Sequence, residues 1–385
     1  MRKSMVKIFM GSVVGVVAIS AWAFQIGPLG TAQESRLTRE PDSSLAKAAD
    51  KVGVLIKGKV HEEITHIGAG CQIDRDRLET DKFCSTSEGM AASPFVIYGV
   101  RWNDLPPFAL SPGEGNCQLL GQAYVCKPQT VRFSTQPLCW YCLFKDAERT
   151  AQTKRIVGGC ERSAPDTARG NLMTRSHFGD LQFLHGMASQ DGMHPVLTRA
   201  QILDWIKFAW KVSSREISPS ARLRDVSLQT FKDHFGCTEW TVADLYLLGR
   251  QDASSGLISQ IRQIAFGSVL HTVQDSFAAA HVNREPGPSS QTCEGTRFIK
   301  PRPIVEFHTY GAQDGTLHDH GDEREAMIAG EGPNDWPSAI LATRQLFELN
   351  QDGAKWADAR TYVECLFELS ENRKPASPGD AFRRR

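Results

Sequence analysis

From about residue 196 to 370, apolar positions recur at helical spacing. Ile202, Leu203, Trp205, Ile206, Phe208 and Trp210 form one such set, and Thr198 with Gln201 ahead of them offers a capping box. Leu257, Ile261, Ile264, Val269, Leu270, Val273 and Phe277 predict a longer helix from about Ser255 to Val282. Further helices are expected at about 335–349 and 354–370, and a short one from about Val60 to Ala69. Between 71 and 160 the periodicity breaks. That stretch is rich in Cys, Gly and Pro and carries only short β-like runs, Ser93–Val100 and Gln122–Cys126. The pattern predicts a mainly α, multi-helix domain over 51–372, with a Cys-rich irregular insertion at 71–160. Residues 24–50 read as a polar leader or linker. Residues 373–385, basic and Pro-containing, read as a disordered tail.

The start of the chain changes the picture of where the protein works. Arg2, Lys3 and Lys7 precede an apolar stretch from Ile8 to about Phe24, and Ala21-Trp22-Ala23 is a small-x-small cleavage site. Residues 1–23 therefore read as a signal peptide, in preference to an uncleaved anchor, and the protein is expected to be exported to the periplasm or beyond. Cysteine usage agrees. There are ten, and those from Cys71 to Cys160 lie close enough to suggest a disulfide framework. Cys117 and Cys126 suit a short hairpin staple, with the connectivity left open. Cys139-Trp-Tyr-Cys142 lacks a thioredoxin-like context and reads as a structural staple. Lys+Arg and Asp+Glu both number 44, so no whole-protein field draws the chain to nucleic acid or anionic membrane.

The candidate chemistry is a series of His and Asp residues. His271 and Asp275 are four apart on one predicted helix, so both can reach one metal ion, and His281 follows where the helix ends. His318 and Asp322 repeat the spacing. Ser176-His177-Phe178-Gly179-Asp180 sets a histidine beside an aromatic, and Asp104 lies in the Pro-rigidified loop Arg101-Trp-Asn-Asp-Leu-Pro-Pro107. His61 supplies another imidazole. His61-Glu62 is not a zinc-protease motif, because the next histidine is His66, five positions on instead of four. His66, His185, His194 and His234 read as core or surface residues, with His185 the main competitor to His177. His308 and His320 compete with His318.

This ordered series resembles the superfamily of zinc-dependent phospholipases C and single-strand-specific nucleases. The likeness spans roughly 60–322, and it is most specific in His271-x3-Asp275-x5-His281 and in Ser176-His-Phe-x-Asp180. The resemblance implies an exported, mainly α domain with a cluster of zinc ions. Asp104, His177, His271 and Asp275 would hold one ion. His281, His318 and Asp322 would hold a second, and His61 with a bridging oxygen of Asp275 a third. Asp104 would also accept a proton from the attacking water. The chain departs from the family at two places. No Trp directly precedes His61 to complete a third site, and Ala278-Ala279-Ala280 stands where the family often has Pro before the histidine. Two or three zinc ions are therefore expected.

Within the superfamily, the Trp102-Asn-Asp-x-Pro-Pro107 block resembles a bacterial branch of the phospholipase side. That reading implies cleavage of phosphatidylcholine-type phospholipid at a membrane surface, with Trp140, Tyr141 and Phe144 either forming a lipid-facing lip or belonging to the core. The pair His318-x3-Asp322 is closer to the nuclease pattern and keeps single-stranded nucleic acid as the alternative substrate. A third reading is a non-enzymatic exported metal-binding protein. No obligate protein partner is evident.

Overall fold

The computed structural model describes residues 60–71, 73–74, 79–80, 91–110, 115–119, 121–126, 130–133, 136–153, 158–160, 171–248, 255–287, 291–322 and 339–385. The expected signal peptide and leader lie outside these residues. The described chain is mainly α. Its helices are α1 (Val60–Gly68), α2 (Pro94–Trp102), α3 (Pro137–Ala151), α4 (Leu172–Phe178), α5 (Pro195–Ser213), α6 (Gln229–Phe235), α7 (Val242–Leu247), α8 (Ser255–Ser259), α9 (Ile261–Asp275), α10 (Gly315–Gly321), α11 (Ala339–Gln351) and α12 (Trp356–Leu366). Among the described residues the named strands form four two-stranded antiparallel pairs. No described helix is long and apolar enough to cross a membrane.

Helix α9 is the axis of the fold. From Ile264 to Asp275 every residue is buried, as expected of a helix surrounded by others. It packs on α2, α5 and α11. Its contact with α2 is unusually close because two glycines meet there. A Cβ on Gly99 would lie 2.0 Å from the Ile264 carbonyl oxygen, and one on Gly267 would lie 2.1 Å from the Val96 carbonyl oxygen. One helical turn beyond Gly267 stands His271, whose position relative to α2 is thereby fixed. Around this pair Trp102, Trp205, Phe208, Phe231 and Tyr246 pack as a fully buried aromatic layer. Each such ring contributes roughly 1.5–3 kcal/mol by burial.

Several local expectations are corrected. Ser93–Val100, read as β-like from its Val, Ile and Tyr content, is the start of α2. Ser93 caps it by accepting from the Val96 N–H, and Pro94 occupies the first turn, where its missing N–H costs nothing. Helix α5 starts at Pro195, capped by the His194 ring, so Thr198 is a buried interior residue and no capping box forms there. The long helix predicted to Val282 is interrupted after Ser259 and stops at Asp275. Successive i→i+3 bonds from the Ser276, Phe277 and Ala278 N–H groups tighten the chain into a turn. The Ala280 carbonyl is taken by the Gln313 amide and the His308 ring instead, which overrides the helix propensity of the Ala triplet.

The insertion has more regular structure than its composition suggests. Cys117 bonds to Cys142 and Cys126 to Cys139, so both cysteines of the CxxC on α3 staple the hairpin of Asn116–Leu119 with Gln122–Val125. Cys160–Cys237 and Cys293–Cys365 tie the insertion and the helical body further. These four disulfides among the described residues suggest an oxidising, exported environment. Trp140 and Phe144 are fully buried in a second core with Phe108, Val131, Met173 and Phe178, and do not form a surface lip.

The stretch 373–385 is not a loose tail. Ala376 is buried, its N–H donates to the Met193 carbonyl, and its own carbonyl accepts from Gly192. Ser377 pairs with His308 and Arg383 with Gln313. Gly379, at φ +78°, lies so close beneath the His308 ring that a side chain there would collide with it. Backbone hydrogen bonding, which a hydropathy pattern does not report, holds this segment in place.

Candidate metal centre

The residues singled out from the sequence converge around the C-terminal end of α9. His271 and Asp275 come from α9 itself, His61 from α1, and His318 from α10, with Asp322 at the C-cap of α10. Asp104 follows α2, His177 lies on α4, and His281 sits in the turn after α9. All are buried, and all but His177, at 3%, have 0% exposure. Three groups have ligand atoms within 4.8 Å of one another: His61, His271 and Asp275; Asp104, His185 and His271; and His281, His318 and Asp322. These groups can hold metal ions.

The hydrogen bonds behind these candidate ligands fix their direction. Nδ1 of His271 donates to the Val100 carbonyl at 2.7 Å, and Nδ1 of His281 donates to the His185 carbonyl at 2.7 Å. His61 Nδ1 donates to Gln274 Oε1 at 2.6 Å, and His318 Nδ1 donates to Gln313 Oε1 at 2.6 Å. Both glutamines are oriented in turn. The Gln274 amide donates to Thr65 and Thr343, and the Gln313 amide to the Ala280 and Pro378 carbonyls. His177 Nδ1 faces the Met173 carbonyl at 3.0 Å. In each ring Nε2 is thus left toward the shared interior, the arrangement in which an imidazole binds a metal.

The interior is where a cation is needed. His271 Nε2 lies 2.9 Å from Asp275 Oδ2, His61 Nε2 3.2 Å from Asp275 Oδ1, and His318 Nε2 3.0 Å from Asp322 Oδ2. Burial lowers the His271 pKa to about 3, so at neutral pH its Nε2 carries a lone pair facing a carboxylate oxygen. Two acceptors at that distance repel unless a cation joins them. Neither oxygen of Asp104 accepts a hydrogen bond, although the side chain is wholly buried. Burial, then Asp275 and Asp322, push the Asp104 pKa well above the carboxylate range. Burial pulls the other way at Asp275, but His271 and His281 outweigh it and hold that pKa well below the usual value. At His281, burial is outweighed by Asp275 and Asp322, and the pKa rises to about 9. A proton there lies between two carboxylates, where a metal ion would otherwise neutralise them. The donor set, orphaned acid and inward lone pairs all fit a bound metal.

The expected ligand series is brought together with one change. His177 stands at the margin, its Nε2 4.0 Å from Asp104 Oδ1, and it is absent from all three groups. His185 takes the inner position. Its Nδ1 lies 3.1 Å from both Asp275 Oδ2 and His271 Nε2, and 3.5 Å from Asp104 Oδ1. His185 ends a short 3-10 turn, Gln182–His185, closed by Gly186 in the left-handed conformation. Only the apolar run Phe183-Leu184 pointed to its burial, and nothing in the spacing pointed to its partners. The Asp180 of the Ser-His-Phe-x-Asp block is no ligand. It forms a buried pair with Arg175 at 2.8 Å and accepts from His234 at 2.8 Å. His308 faces the Ala280 carbonyl, which leaves the second group to His318.

Tyr310 borders the centre. Its ring meets His318 edge-on at 4.6 Å and His177 at 6.4 Å. Its chain neighbours Thr309 and Gly311 line a cavity of about 630 Å³ together with Phe178, Gln182 and Arg383 to Arg385. Compared with protein-family models, with curated proteins and with solved structures, the chain matches none.

Proposed function

We propose that this protein is an exported zinc-dependent phosphodiester hydrolase of the phospholipase C type, cleaving phosphatidylcholine-type phospholipid to diacylglycerol and a phosphorylated head group. The observation that carries the reading is the bridging place of Asp275. One of its oxygens faces His61 and the other faces His185 and His271, so one carboxylate serves two neighbouring positions. The third group, His281, His318 and Asp322, adjoins them through the 3.7 Å approach of His281 to Asp275.

Imidazole and carboxylate without thiolate is a donor set that zinc accepts. His61, Asp104, His185, His271 and Asp275 would hold ions on one side, and His281, His318 and Asp322 on the other. Zinc bound there supplies Lewis acidity toward phosphate oxygens and makes water a nucleophile at neutral pH. The chain's own part is to orient the imidazoles from behind, to keep the centre dry, and to move a proton. Asp104 suits the last task, since both its oxygens are unengaged by hydrogen bonds and burial beside Asp275 and Asp322 raises its affinity for a proton. As the water oxygen bonds to phosphorus and the P–O bond to diacylglycerol breaks, Asp104 would take the proton from the water and the leaving alkoxide would take one from solvent.

A second reading is favoured by one observation. Arg383, Arg384 and Arg385 line the cavity beside the centre, and a cationic wall suits a polyanion such as single-stranded nucleic acid. The test is release of phosphocholine from phosphatidylcholine vesicles by zinc-loaded protein, with and without a chelator, beside a parallel assay on single-stranded DNA and RNA. Chelator-sensitive phosphocholine release supports the lipid reading. Cleavage of nucleic acid alone moves the assignment to the nuclease, and no cleavage of either leaves a metal-binding protein without this activity.

A further inference from the structure

The Tyr310 hydroxyl is a buried polar group that the fold itself does not explain. The residue is 6% exposed, and its hydroxyl has no hydrogen-bond partner among the described residues. A buried hydroxyl left in that state destabilises the fold, and Phe would fill the same space without the cost. The backbone holds the residue firmly. Its N–H donates to Gln182 Oε1 at 3.0 Å, and its carbonyl accepts from Gln313, the residue that orients His318. The ring packs at 5.2 Å on Phe178 and meets His318 at 4.6 Å and the outer His177 at 6.4 Å. Four carboxylates, Glu148, Asp319, Asp322 and Asp104, are near enough to act on it. All are acceptors, yet none engages the hydroxyl.

A phenol beside the His281, His318 and Asp322 group, unsatisfied and rigidly held, is a donor awaiting an acceptor that arrives from outside. We propose that the Tyr310 hydroxyl donates a hydrogen bond to a non-bridging oxygen of the substrate phosphate group as it lies across the centre. This rests on the phosphodiesterase reading above. Such a donor stabilises charge that builds on the phosphoryl oxygens during displacement, and so acts on kcat.

The test uses the full zinc-loaded protein and its Tyr310→Phe variant. Zinc content, thermal stability, hydrolysis of bis(p-nitrophenyl) phosphate and calorimetric binding of inorganic phosphate are measured for both. The proposal expects unchanged zinc content, equal or higher stability, a kcat reduced roughly 100-fold and phosphate binding weakened about tenfold. Equal kcat and equal phosphate affinity overturn it. A less stable variant that also loses zinc overturns it too, since that marks a structural hydroxyl. If the wild-type protein hydrolyses no phosphodiester, the functional reading fails, while the phosphate-affinity comparison still decides the role of Tyr310.

Discussion

The imidazole of His185 meets the carboxylate of Asp275 at 3.1 Å across 90 residues of sequence. The same nitrogen lies 3.1 Å from His271 Nε2, which makes His185 an inner member of the centre and His177 an outer one. His185→Ala is therefore expected to lower metal affinity at least about 100-fold, and His177→Ala no more than about tenfold. Metal titration of the two purified variants checks this, and the reverse order would restore His177 as the ligand.

The close crossing of α2 and α9 is held open by Gly99 and Gly267. Gly267→Ala places a methyl group against the Val96 carbonyl, where only backbone movement can relieve it. Overpacking of this kind costs about 1–3 kcal/mol. Because His271 takes its orientation from the Val100 carbonyl on α2, the same variant is expected to bind metal more weakly. Denaturant unfolding with metal titration tests both effects, and a variant as stable and as metal-avid as wild type would refute the crossing as the positioning device.

Gln313 links the C-terminal segment to the centre. Its carbonyl oxygen accepts from His318, and its amide donates to the carbonyls of Ala280 and Pro378. Gln313→Leu keeps the volume but loses all three bonds, and it should weaken metal binding at the His281, His318 and Asp322 group by about 10–100-fold. Stoichiometry measured across a chelator series should then show one class of ion lost ahead of the rest. Loss of all ions together, or of none, would argue against this link.

The buried pair of Arg175 and Asp180 sets a pH dependence. Burial raises the Asp180 pKa, but Arg175 and His234 outweigh it and hold the folded value below the usual carboxylate range. A depressed folded pKa stabilises the fold above the unfolded pKa of about 3.9, and that stability is lost as pH falls toward the folded value. Asp180→Asn leaves Arg175 buried without its counter-charge and should cost about 3–5 kcal/mol at pH 7. The gap between wild type and variant should narrow below pH ~4. A constant gap across that range would contradict the assignment.

Local periodicity made much of the centre legible. His271 with Asp275 and His318 with Asp322 share helical faces, and the i,i+4 spacing alone brings each pair to contact distance. His61 was visible as an imidazole near the start of a short amphipathic helix. His185 was not, because it sits on a 3-10 turn and every contact it makes is with residues far away in sequence. Trp140 and Phe144 read equally well as lip or core until two disulfides fixed the hairpin over α3. The order of the C-terminal segment is not legible in the sequence, because it comes from backbone pairing with 308–314, to which side-chain polarity is blind.

The central claim is that these buried His and Asp residues hold metal, with Asp275 shared between positions. The most direct measurement is the metal content of purified full-length protein by mass spectrometry, beside its Asp275→Asn variant. The account predicts two or three zinc ions per wild-type chain, removable by chelator, and fewer in the folded variant. Wild-type protein that takes up no metal from a zinc-containing buffer, or a variant that keeps the full complement, would contradict it.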